Sequence, residues 1–137
     1  MGVNLNQIFF NTYIRVDKVC CAKLGVERGG VSAYIGKLMN TRFAPDREET
    51  LDRLIYLRNV RNALAHEEGA MASHRHLTKH DVKWLQNFER DLLHKRDPIS
   101  RYLRRARGYV RRRRIFAVIA VLALAAAAVL GYMYLMP

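Results

Sequence analysis

LDRLIYLRNVRNALAHEEG, residues 51–69, sets apolar side chains at Leu51, Leu54, Leu57, Val60 and Leu64. Steps of three and four residues keep these five on one stripe of an α-helix, a pattern that no β-strand would give. The opposite face carries arginines, asparagines and one histidine. Such a helix is stable only when its stripe is covered, so the run predicts a helix in a helical domain.

Working outward, the same period recurs on both sides. Leu5, Ile8, Phe9, Tyr13, Val16, Cys20 and Leu24 predict a first helix of about five turns. GVERGG breaks it. Val31, Tyr34, Ile35 and Leu38 predict a short second helix that MNTRFAP ends. Pro45, with Asp46, Glu48 and Glu49 behind it, reads as the first turn of the third helix, because acids favour the positive end of the helix dipole. After a loop through AMASHRH, Thr78 and Asp81 have the spacing of a capping box, and Val82, Leu85, Phe88 and Leu92 supply a fourth stripe. No stretch alternates convincingly enough for a strand. The expected fold is all-α, a four-helix up-and-down bundle with about four core residues per helix.

Asp97-Pro98 restarts a helix that runs through RYLRRARGYVRRRR into IFAVIAVLALAAAAVLGYMYLMP, residues 115–137. That last stretch holds no charged residue. At 1.5 Å per residue it would extend about 34 Å, enough to cross a hydrocarbon core of about 30 Å. A domain of about 100 residues could hardly cover such a helix on every side, so it reads as a transmembrane helix. The expected organisation is a domain over 1–97, a basic juxtamembrane neck over 98–114 and a membrane helix over 115–137. With the span placed last, the chain is expected to be tail-anchored. MGVNLNQIFF lacks the basic start and long apolar run of a signal peptide, and Asn6 stands where myristoylation wants Ser or Thr.

The formal net charge is +12. Residues 1–100 carry sixteen basic and twelve acidic side chains, whereas residues 101–137 carry eight arginines and no acid. Arginines beside a span mark its cytoplasmic side and attract anionic lipid headgroups, so the N-terminal domain is expected in the cytoplasm. The same guanidinium groups could also hold RNA. Cys20 and Cys21 are adjacent, which disfavours a bridge, and they lack the spacing of a zinc site. One is expected in the core and the other at the periphery.

Arg61, Asn62 and His66 in RNALAH, at the end of the third helix of a small helical domain, resemble the HEPN superfamily motif: an Arg, a polar residue, then a His after a short gap. The helix order over about residues 5–95 is similar too. The resemblance implies a HEPN-like bundle, a homodimer and, in many members, a metal-independent endoribonuclease that acts as a toxin or in defence. Other members bind nucleotides or partners without catalysis. No metal or cofactor is expected, and an inhibitor protein, if there is one, cannot be identified from the residues.

The chemistry agrees with the residue types. RNA cleavage by attack of its own 2′-OH needs a group that moves protons near neutral pH, the role suited to His66. It also needs fixed positive charge at the phosphate, the role suited to Arg61, with Asn62 holding the imidazole or contacting the phosphate by hydrogen bonds. On a straight helix Arg61 and His66 stand about 140° apart, whereas Asn62 shares the face of His66 and Arg58 lies within about 80° of it. Arg58 is therefore a second candidate for the phosphate, and a site completed by two copies is one way to bridge the offset. The plainer alternative is a helix-end cap, with Asn62 and His66 bonding carbonyls and Arg61 paired to an acid such as Glu67 or Glu68. His74, His76 and His80 offer poor zinc spacing, and a lone Trp84 on a helical stripe is more often core than a base-stacking platform.

Overall fold

The computed structural model describes residues 4–66, 69 and 77–136, and among these all regular structure is α-helical. The elements are α1 (Leu5–Leu24), α2 (Gly30–Met39), α3 (Arg47–His66), α4 (Lys79–Leu93) and α5 (Pro98–Leu135). The chain divides into two compact units, Met1–Tyr102 and Leu103–Pro137, so the first turn of α5 belongs to the domain.

In the first unit α1 is the central element, packing against α2, α4 and, less extensively, α3, while α2 also packs on α3. The stripes named above converge on one core. Phe9, Val16, Cys20, Val31, Tyr34, Leu38, Leu54, Leu57 and Leu85 are completely buried there. Tyr34 meets Phe88 edge-on at 5.4 Å between ring centroids. Trp84 stacks on Phe88 at 5.3 Å at the edge of this core, with Arg53 over its other side.

The α1–α2 connection depends on glycine. Gly25 ends α1 and Gly29 precedes α2, both with left-handed φ, of 68° and 66°. Gly30 then lies directly on α1, where a Cβ would fall 2.1 Å from the Asp17 carbonyl oxygen. No side chain of its own caps α2. Asp17 takes that role from α1, its carboxylate accepting from the Val31 amide at 2.8 Å.

The start of α3 differs from the expectation. Pro45 and Asp46 lie ahead of the helix, which begins at Arg47, and Asp46 adopts φ of 55°. The Asp46 carboxylate pairs with Arg101, and Arg47 turns back to donate to the Leu38 and Met39 carbonyls at 3.2 and 3.0 Å. Arg47, the first helical residue, thus ties the end of α2 to the start of α3. The Thr78–Asp81 capping box is formed as expected.

Asp97 anchors the start of α5 in the domain. Its carboxylate is 1% exposed and accepts from Lys23 at 3.1 Å, from the Tyr34 hydroxyl at 2.8 Å and from the Ser100 amide at 3.2 Å. Lys23 also donates to the Ser100 hydroxyl. In the second unit α5 continues without a break and is long and apolar enough to cross a membrane. Every residue from Ile115 to Met136 is exposed, which distinguishes it from a buried core helix of the same composition.

Candidate functional site

Arg58, Arg61 and Asn62 share a hollow of about 520 Å³ where α3 passes α1 and the start of α2. Tyr13, Asp17, Lys18 and Cys21 of α1 form one side, with Glu27, Arg28 and Ser32 at the α1–α2 turn. The placement follows from the leucine stripe. With Leu57, Val60 and Leu64 turned into the core, Arg58 and Arg61 emerge at its margin, half-buried, and Asn62 is exposed.

Within the hollow the Arg61 guanidinium donates to the Asn62 side-chain oxygen at 3.3 Å and lies over the Phe10 ring, 5.8 Å from its centroid. Among the described residues neither Arg58 nor Arg61 forms an ion pair. Both guanidinium groups bear on the Tyr13 hydroxyl. Burial, followed by the neighbouring Asp17, raises its pKa well above the usual range, while Arg61 and Arg58 oppose the shift. Tyr13 is therefore a neutral hydrogen-bonding group at ordinary pH. The charged lining of the hollow is four cations, Lys18, Arg28, Arg58 and Arg61, against two acids, Glu27 and Asp17, the latter also accepting from the Val31 amide.

His66 is the last residue of α3, exposed, and is not among the residues lining the hollow. Arg61 and Asn62 are thus brought together with Arg58 in the hollow, whereas His66, one turn beyond Asn62 on the same face of α3, does not line it. The offset expected from helix geometry persists because α3 runs regularly to its end. Lys18, Arg28 and Ser32 were not singled out from the sequence; Lys18 comes from α1, and Arg28 and Ser32 flank the sharp turn at Gly29 and Gly30.

The rival features are plainer. Cys20 is buried and Cys21 half-buried, and both are free thiols. His80 is exposed, its Nδ1 3.4 Å from an Arg53 nitrogen. His74, His76, Glu67 and Glu68 lie outside the described residues. Among the described residues no three histidine, cysteine or acidic side chains cluster as metal ligands would.

Residues 7–115, from α1 into the first apolar residue of the span, match a family of unknown function, DUF6548. The chain belongs to DUF6548. That match takes in all but the first residues of the helical domain, together with the arginine-rich stretch. No curated protein and no solved structure matches the chain.

Proposed function

We propose that this DUF6548 protein is a membrane-tethered, metal-independent endoribonuclease of HEPN type, working at the exposed end of α3 on the cytoplasmic side. What supports the reading is that Arg58 and Arg61, with Asn62, line one open hollow while making no ion pair among the described residues. Two guanidinium groups at about one helical turn suit a phosphodiester, whose charge grows on the non-bridging oxygens as the 2′-OH attacks. In this scheme Arg61 and Arg58 hold the phosphate and Asn62 orients Arg61. His66 takes the 2′-OH proton or supplies one to the departing 5′ oxygen. The products are a 2′,3′-cyclic phosphate and a free 5′-OH, and the nucleophile comes from the substrate itself.

His66 does not line the hollow of its own chain, and in this reading the histidine of a second copy completes the site beside these arginines. A homodimer is then part of the mechanism, and the domain without its partner only binds. The same observation favours a second reading, a membrane-anchored module that holds RNA without cutting it.

The full chain in mild detergent with EDTA tests the proposal. Wild type is expected to cut RNA, and His66→Ala to cut it about 10²–10⁴-fold more slowly, the usual cost of losing a general acid–base. Arg61→Ala and His66→Ala chains, each inactive, are expected to regain up to about a quarter of wild-type activity when mixed. Half of randomly paired dimers are mixed, and each mixed dimer keeps one of its two composite sites. RNA binding without cleavage by any of these proteins would support the module and refute the nuclease.

A further inference from the structure

The arginines of α5 beyond Leu103 are unevenly distributed around the helix. Arg104, Arg107, Arg111 and Arg114 follow one another at steps of three, four and three residues. At about 100° per residue they fall within an arc of about 80°, a ladder roughly 15 Å long on one face. Arg105, Arg112 and Arg113 project from the rest of the circumference.

Beside the ladder runs an apolar stripe of Leu103, Ala106 and Val110, with Leu103 41% and Val110 49% exposed. Leu103, Ala106, Arg107, Val110, Arg111 and Arg114 together line an open groove of about 400 Å³ with an apolar floor and guanidinium walls. The stripe continues into the span through Ala117 and Val121, which lie within about 40° of Leu103 around the axis.

We propose that this face binds anionic phospholipids of the membrane that α5 enters, the phosphates on the arginine ladder and the acyl chains along the apolar stripe. Three features favour that occupant. The groove joins cationic walls to an apolar floor, matching a molecule that carries both a phosphate and a hydrocarbon chain. The floor is continuous with the membrane-spanning surface, so a lipid headgroup meets it at its Val110 and Arg114 end, where the span begins. No acidic residue occurs from residue 101 onward, so the ladder face carries charge of one sign only. A second copy of the same face would set one ladder against another and be repelled. RNA would use the ladder but leave the apolar stripe uncovered. The inference does not depend on the nuclease reading, since it concerns a different surface.

Lipid selectivity of the full chain in phosphatidylcholine vesicles tests it, with spin-labelled phosphatidylglycerol or phosphatidylcholine added as the probe. The motionally restricted fraction of each label gives their relative association. Wild type is expected to prefer phosphatidylglycerol by roughly five-fold, the factor equivalent to about 1 kcal/mol for one arginine near an anionic surface. The ladder variant R104Q/R107Q/R111Q/R114Q is expected to fall to within about two-fold of no preference. The variant R105Q/R112Q/R113Q is expected to keep most of it, which separates the face from mere charge. No preference in wild type, or equal loss in both variants, overturns the proposal. So does a ladder variant that keeps its lipid preference but no longer retains RNA on the vesicles, because the ladder's ligand would then be RNA.

Discussion

Replacing Asp97 by alanine should weaken the domain by about 3–4 kcal/mol. The carboxylate is 1% exposed and accepts from Lys23, Tyr34 and Ser100, so three groups lose their acceptor together. Breaking a buried ion pair from one side usually costs about 3–5 kcal/mol. Here that is reduced, because the Lys23 side chain is 20% exposed and can turn to water. Tyr34 has no such escape. It is completely buried, and an unsatisfied buried hydroxyl costs about 1–3 kcal/mol. Loss of the cap on the first turn of α5 adds about 1 kcal/mol. These contributions share one carboxylate and do not simply add. Asp97→Asn keeps an acceptor for Tyr34 and Ser100 and should cost only about 1–2 kcal/mol. Urea unfolding of the full chain in mild detergent, followed by emission of the single tryptophan, Trp84, reports on the domain and leaves the span out. With a slope near 1.5 kcal/mol per molar, Asp97→Ala should lower the midpoint by about 2 M. A drop under 0.5 M, or equal effects of alanine and asparagine, would refute the account of how α5 is tied to the domain.

Gly30→Ala should destabilise by about 2–3 kcal/mol, because its Cβ would meet backbone atoms of α1 at 2.1 and 2.6 Å. Gly25→Ala faces open space and strains only φ, for about 1 kcal/mol; equal costs in urea unfolding would contradict the close helix approach. Alkaline pH should loosen the domain. Burial, with Asp17 adding to it, pushes the Cys20 thiol up to about 12, and burial raises Tyr13 and Tyr34 further. The folded chain therefore holds protons that the unfolded chain releases. Stability is full below about pH 8.5 and falls as pH rises toward 12, with Cys20→Ala removing the earliest part of the decline. A Trp84-monitored stability that is flat over this window is the opposing result. Finally, a tag before Met1 should be accessible from the cytosol and one after Pro137 protected; the reverse would separate the α3 site from cellular RNA.

The helices were legible because each repeats apolar residues at helical spacing, and a stripe such as Leu51 to Leu64 has one way to be buried. The charge-free run after Arg114 was equally direct. What the sequence concealed depends on contacts between distant residues. Asp97 meets Lys23 and Tyr34 across 74 and 63 positions, and no local pattern announces the pairing. Arg47 both opens α3 and closes the end of α2, two residues past Pro45, because Asp46 takes a left-handed φ that a helix start at Pro45 did not anticipate. At the site, helix geometry foretold the separation of Arg61 from His66. It could not foretell the hollow, since Arg28 and Ser32 join its lining only after Gly30 lets α2 fold down onto α1.

The central claim concerns chemistry at α3, and the ends of cut RNA test it most directly. Full chain and its His66→Ala variant would be incubated with a defined RNA in EDTA, and the termini of any fragments identified. The account predicts 2′,3′-cyclic phosphate and 5′-hydroxyl ends from wild type and intact RNA from a His66→Ala protein whose Trp84 emission is unchanged. Intact RNA from both proteins, or the same fragments from both, would contradict it.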